Sequence, residues 1–481
     1  MVSISLGRVT LLLLLGRVAG YVLSLLNSVI LARTLGVDRL GAYAYATGLA
    51  GVFGLLPNLG ISTIITRAIA RNPESGAGLL ASAIHAQALL AGSVMVLIPA
   101  FAAILPEQPV PLWYVGLAAG QLAIGTLSWP YLAVLAGRAR YDRVAVAELI
   151  AGLAGTVTLV AAAALDGGVP MFLWAHLFAS ILSAAAARWI AVPFLLTKEK
   201  EPVPLRALFR EAAPFGVTAA VQSVYTRLDL VMLGQMAPGA ALGLYSAAYK
   251  PINMVVNFGA TVAGTLLPLL AQERERGAPV ALVRAMRALG MTAPAFALVF
   301  SGLAGPMLHL LFGAEYLAAA PILIVLAWSA VANWLYGPLG IALQARDHER
   351  WWLGSLLVGL ALNALGNLWA IPRWGGLGAA AVTCFSEVAL LLLGMALLWG
   401  RLTISPQLRP ILIGLAASLA GALTLLALSG SGTALATGTA LSVYGGLLIA
   451  FRSVGAEDIG LLMGWIREAT CGSSRPPLDG P

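Results

Sequence analysis

"LGVDRLGAYAYA", residues 35–46, follows an apolar run of more than twenty residues and leads straight into another. A second Gly-x-Tyr stretch, "LGLYSAAYK" at 242–250, occupies a similar setting after "DLVMLG". A short Gly-x-Tyr turn repeated between greasy segments, roughly two hundred residues apart, raises the question of whether the chain is a duplication.

Composition narrows the answer. Of 481 residues, 60% are hydrophobic and only 10% are charged. A soluble domain carries about 25% charged residues, and long apolar runs with few charges indicate membrane spans. Cys384 lies in an apolar run and Cys471 in a polar tail, so no disulfide is expected, and their spacing fits no zinc or redox motif. The apolar run from Val9 is too long for a signal peptide and no cleavage site closes it. It is expected to stay as a first transmembrane helix. A net charge of +8 would suggest nucleic acid in a soluble protein. In a membrane protein it has to be read loop by loop, because arginine and lysine accumulate on the cytoplasmic side.

Spans of about 20 apolar residues fall at 9–33, 41–66, 79–105, 111–137, 144–165 and 170–196. After the polar stretch "TKEKEPVPLRALFRE" come 212–236, 243–271, 286–312, 320–344, 352–371, 376–400, 410–429 and 434–452. The expected fold is therefore all-α, a polytopic membrane protein of about fourteen helices. With the N-terminus in the cytoplasm, the inner loops hold Arg67, Arg71, Arg138, Arg140, Arg143, Lys198, Lys200, Arg206, Arg210, Arg274, Arg276, Arg284, Arg287, Arg346, Arg350, Arg401 and Arg409, and the tail adds Arg452, Arg467 and Arg475. The outer loops hold little more than Arg39 and Arg373, with Arg33 at a helix end. This bias runs along the whole chain and puts both termini in the cytoplasm. The outer loops, such as "PEQPVP" and "SGSG", are too short for an external domain. That weighs against a membrane glycosyltransferase or ligase.

The helices flanking the two turns carry matching polar stripes. Arg17, Tyr21, Ser24 and Ser28 fall at i, i+4, i+7 and i+11 of span one, and Thr218, Gln222, Tyr225 and Asp229 repeat that spacing in span seven. Such spacing lines one helix face. Arg17 precedes Gly41 by 24 residues and Thr218 precedes Gly243 by 25. Span eight adds Ser246, Lys250, Asn253 and Asn257; span two has a weaker version in Thr47, Gly51, Gly54 and Asn58. The pattern looks like an internal duplication, six spans against six. It divides the chain into residues 1–197, a cytoplasmic linker at 198–210, residues 211–400, two further helices at 401–452 and a tail at 453–481. Polar faces in a bilayer meet each other or water rather than lipid.

Single residues have competing readings. An uncompensated charge at the bilayer centre costs at least about 2.5–3.5 kcal/mol. Arg17 either snorkels to the cytoplasmic interface or faces a cavity with Tyr21, Ser24 and Ser28. Arg227 and Asp229, two residues apart, point to opposite sides of a regular helix. Either span seven is irregular there or each has its own partner. Lys250 is the second candidate cavity cation. Glu387 is read as a structural hydrogen-bond partner more than a functional acid, and His85 and His309 as packing residues. Pro57, Pro130, Pro251 and Pro268 mark expected kinks. In the tail, Ile459, Leu462, Met463 and Ile466 have the spacing of an interfacial helix.

The two turns, with "NLGISTIITRAIA" (58–70), "LFGAEYLAAAPIL" (311–323) and "IPRWGGLGAAAVT" (371–383), resemble those of the polysaccharide and O-antigen flippases. These belong to the multidrug/oligosaccharidyl-lipid/polysaccharide (MOP) exporter superfamily. The resemblance runs from about residue 5 to 450. It implies two six-helix lobes in a V, alternating access, and a cavity lined by spans one, two, seven and eight. It implies a flippase of the inner (cytoplasmic) membrane that carries undecaprenyl-pyrophosphate-linked oligosaccharide to the outer leaflet, catalyses no covalent step, and works beside polysaccharide polymerase machinery. The alternatives for this chain come from the other branches of the superfamily: a cation-coupled multidrug antiporter, or a peptidoglycan-precursor flippase. The expected substrate-binding residues are Arg17, Tyr21, Ser24, Ser28, Asn58, Gln222, Tyr225, Arg227, Asp229, Lys250, Asn253 and Asn257. No cofactor, metal or nucleic-acid partner is expected, and proton and sodium gradients both stay open as the driver.

Overall fold

The computed structural model describes residues 6–72, 76–195, 204–264, 280–345, 348–398 and 408–451. Among them every regular element is helical, as the composition requires. The first half runs α1 (Leu6–Val52), α2 (Ile61–Arg71), α3 (Gly76–Ile104), α4 (Leu112–Thr126), α5 (Trp129–Gly137), α6 (Tyr141–Ala164) and α7 (Gly168–Ala191). The second half runs α8 (Leu205–Tyr225), α9 (Leu228–Met236), α10 (Ala240–Gly264), α11 (Val280–Gly302), α12 (Ala304–Phe312), α13 (Ala320–Ala345) and α14 (Glu349–Leu398). Then come α15 (Leu408–Ala427) and α16 (Thr433–Ala450), which pack on each other and on α11. Lys198 and Lys200 of the linker, Pro268, Arg274, Arg276, Arg346, Arg401 and the tail with Cys471 lie outside the described residues.

Eight described helical stretches are long and apolar enough to cross a membrane. Two of them, Ala19–Val52 and Glu349–Leu397, have 34 and 49 residues, against the about 20 that one crossing needs. Each is broken by a glycine in a left-handed conformation: Gly36 (φ 70°, ψ 175°) and Gly375 (φ 53°, ψ −131°). This relocates the expected turn. The chain bends at Gly36, while Gly41 and Tyr43 already lie in the helix that follows. In the second copy the positive φ belongs to Gly239, and Gly243 and Tyr245 lie inside α10. The turn needs a residue free to take positive φ; the Gly-x-Tyr glycines have a different use, close approach.

Gly41 and Gly243 face each other where α1 crosses α10. A Cβ on Gly41 would lie 3.1 Å from the Gly243 nitrogen, and one on Gly243 would collide with the Val37 carbonyl. The other motifs gather at the same place. Tyr316 of "LFGAEY" donates from its hydroxyl to the Ala32 carbonyl at 2.9 Å. Gly376 of "RWGGLG" would carry a Cβ 3.2 Å from the Ala241 carbonyl oxygen. Segments far apart in sequence thus close one junction, and small residues there let backbones touch.

Four of the expected continuous spans are interrupted. Span two unwinds from Phe53 to Gly60, where Leu59 and Gly60 both have positive φ. Span four breaks at Leu127–Ser128, ahead of Pro130, whose ring carries no N–H for the ladder. Span seven breaks at Thr226–Arg227 and span nine at Leu303. Pro251 is accommodated inside α10. Broken helices at membrane depth are tolerated where protein or water meets the freed backbone groups. Outward faces remain apolar, with Val96, Leu365, Leu412, Leu419 and Leu426 all exposed. Arg373 lies 4.7 Å over the Trp369 ring, next to Trp374, an arrangement suited to a membrane–water boundary.

Candidate functional site

Polar candidates from α1 and α10 meet inward of the glycine crossing. The Tyr21 hydroxyl approaches the Asn257 carbonyl at 3.4 Å, and the Asn257 amide donates to the Asn253 carbonyl at 2.8 Å. Asn253, Asn257 and Tyr21 are half-buried. Ser28 is buried and donates to the carbonyl of Ser24, whose own side chain is exposed. Lys250, two turns from Asn257 on the same face of α10, is exposed. That face of α10 packs along α1, where Tyr21 meets Asn257, which places Lys250 between first-half and second-half helices.

The irregularity at 226–227 answers the Arg227–Asp229 question. Arg227 has φ −126° and ends the helical path of α8, so α9 starts on a new register. Its side chain is exposed and runs beside α1: a Cβ on Gly51 would lie 3.3 Å from Arg227 Nε. Asp229 is buried, and its carboxylate accepts the Tyr245 hydroxyl and, at 2.8 Å, the Leu230 N–H. The two are not an ion pair; each has its own surroundings. Gln222, half-buried, sits one turn before the break, and its carbonyl accepts the Thr226 hydroxyl at 3.0 Å.

Other candidates have local partners. Tyr225 turns away from α1: its hydroxyl lies 3.3 Å from Ser386 Oγ, and its ring packs with Tyr336, Leu356 and Leu390. Asn58 accepts both the Ser62 N–H (3.0 Å) and hydroxyl (2.9 Å), holding the start of α2. Glu387 accepts the Asn333 amide at 3.2 Å inside the second half, in keeping with a structural partner. His85 bonds within its own helix, Nδ1 to the Ala81 carbonyl at 2.9 Å. Arg17 lies in α1, but its side chain is outside the described residues.

Sequence reasoning passed over several residues at this junction. Ser223 donates to the Gly51 carbonyl at 2.9 Å, tying the α8–α9 break to the end of α1. Tyr43 pairs with His176 Nδ1 at 3.0 Å, so both Gly-x-Tyr tyrosines find a titratable partner, His176 for one and Asp229 for the other. Neither partner shares a stripe with its tyrosine, and pattern alone had no means of joining them.

Two glycine-mated helices, interrupted spans and cations at the seam define a multi-pass membrane protein with a transporter fold. The chain belongs to the polysaccharide biosynthesis protein family, whose model matches residues 6–274. It is 23% identical over 396 residues to the probable low-salt glycan biosynthesis flippase Agl15 of Haloferax volcanii, covering 79% of this chain and 81% of that one. Its fold is similar to that of the lipid II flippase MurJ in an inward closed conformation, with a TM-score of 0.74, 14% identity, and coverage of 93% and 99% of the two chains. An outward-facing MATE multidrug resistance transporter of the MOP superfamily gives a TM-score of 0.59 at 16% identity over 84% and 96%. The resemblance carried by the five motifs is thereby borne out at the level of family and superfamily fold.

Proposed function

We propose that the chain is an alternating-access flippase that moves undecaprenyl-pyrophosphate-linked oligosaccharide from the inner to the outer leaflet of the cytoplasmic membrane. Two six-helix lobes, 1–197 and 211–400, joined by 198–210, rock about the α1–α10 crossing, and 401–452 adds two helices to a total of fourteen. Both termini are cytoplasmic. No covalent bond is made or broken, and the cycle needs no cofactor.

The observation that carries this reading is the pair of exposed cations, Arg227 and Lys250, at the seam between the lobes, with the nearby carboxylate of Asp229 buried against Tyr245. The substrate's pyrophosphate is anionic. Fixed cations lower the cost of taking it across, and guanidinium can hold two phosphate oxygens at once. An exporter of organic cations needs the opposite sign. The family match and the flippase of Haloferax volcanii support a lipid-linked glycan as cargo.

The test is a strain lacking this gene. Lipid-linked sugar should accumulate on the inner leaflet while resistance to cationic dyes stays normal. Heightened dye sensitivity with unchanged surface polysaccharide would favour the antiporter instead.

A further inference from the structure

The glycine crossing is flanked by two sets of cross-lobe hydrogen bonds. On one side Arg33, at the end of the first span, donates from Nε to the Leu311 carbonyl at 2.9 Å and from a terminal nitrogen to the Leu310 carbonyl at 2.6 Å. These carbonyls close α12. The Gly313 N–H serves Leu308 and His309, and Arg33 serves the next two carbonyls of the last turn, where a helix lacks its own donors. A cation is the favoured cap for the negative end of a helix.

On the other side Gln235, at the end of the seventh span, grips the connection between α3 and α4. Its Nε2 donates to the Glu107 carbonyl at 3.0 Å, and its Oε1 accepts the Glu107 N–H at 3.2 Å. The same Nε2 donates to the Tyr45 hydroxyl.

The two sets are copies of one arrangement. The separation that relates Gly41 to Gly243 also relates Leu40 to Leu242 and Tyr43 to Tyr245. Applied to Arg33 it gives Gln235, and applied to Glu107 it gives His309, next to Leu310. The first helix of each half therefore holds the outer end of the third span of the other half, or the residues just beyond it. The residue types differ, guanidinium in one and amide in the other, so comparing the two halves by residue type hides the equivalence.

We propose that Arg33 and Gln235 form a duplicated latch that holds the lobes together on this face, and that both must let go before the cavity can open there. On the charge-based orientation this is the outer face. The proposal rests on the two-lobe reading but not on the identity of the cargo.

The test is a distance measurement by pulsed electron paramagnetic resonance on the full chain in nanodiscs. Spin labels go on Leu165→Cys and Ser431→Cys, in a background where Cys384 and Cys471 are serine. Arg33→Ala and Gln235→Ala should each enlarge a longer-distance population by about fivefold, the equivalent of one net hydrogen bond, and the double variant should enlarge it further. Arg33→Lys keeps the charge without the fork and should fall between wild type and Ala. The wild-type distance peak, retained as a component in each variant, reports that the fold survives. A double variant with the wild-type distribution would overturn the latch, while the flippase reading would stand. Lost export in cells with an unchanged distribution would also overturn it.

Discussion

Gly243 stands so close to Val37 that a side chain on it would overlap the Val37 carbonyl oxygen. The residue repeated in the two Gly-x-Tyr motifs is thus a contact between the two copies. Backbone meets backbone there, with no flexible side-chain end able to move aside.

Gly243→Ala should therefore cost about 1–3 kcal/mol, the range for overpacking a well-filled site. Gly20→Ala in the same bundle should be neutral or stabilising, because nothing lies within 4 Å of its added Cβ and alanine favours helix. Thermal unfolding of the two purified variants makes the comparison. Equal melting temperatures would mean that the crossing is looser than the geometry requires.

The charge bias predicts the membrane sidedness of the loops. Single cysteines at Asp38, Asp166 and Ser431 should react with an impermeant thiol reagent from outside intact cells, and cysteines at Asn72, Lys200 and Asp347 should not. Labelling in the reverse pattern, or on both sides of one loop, would overturn the orientation and the count of fourteen spans.

Tyr225 separates a shared stripe from a shared site. Its hydroxyl faces Ser386 in α14 rather than the seam. Tyr225→Phe should lower stability by about 0.5–1.5 kcal/mol, one hydrogen bond, and leave export near wild type once normalised to protein level. Export lost at normal stability would return Tyr225 to the substrate path.

Much of this was legible in the sequence. Apolar runs, arginine asymmetry and the motif series indicate an all-helical membrane protein and its family, because membrane spans obey simple length and charge rules. The repeated Gly-x-Tyr also marked the two segments that meet where α1 crosses α10. The places where helices break were harder to see. Periodicity extrapolated straight through Thr226, yet the break there sends Tyr225 toward α14 and leaves Asp229 buried with Tyr245. Asn58 is polar and spaced like the cavity candidates, yet its side chain holds the start of α2. The sequence shows Arg33 only as a charge at a helix end and gives Gln235 no role, because the partners of both are mostly backbone carbonyls and amides, which carry no signature in residue type.

The central claim is that the cations at the seam carry the anionic headgroup. It is tested most directly by the rate at which polyprenyl-pyrophosphate-linked oligosaccharide crosses proteoliposomes containing the purified protein. Arg227→Gln and Lys250→Gln should each slow crossing, and the double variant should lose about tenfold or more, the equivalent of 1.4 kcal/mol. Arg17→Ala should also abolish crossing, with Arg17→Lys keeping part of the rate because it preserves the charge but not the fork. Wild-type rates in the Arg227→Gln/Lys250→Gln variant would contradict the account.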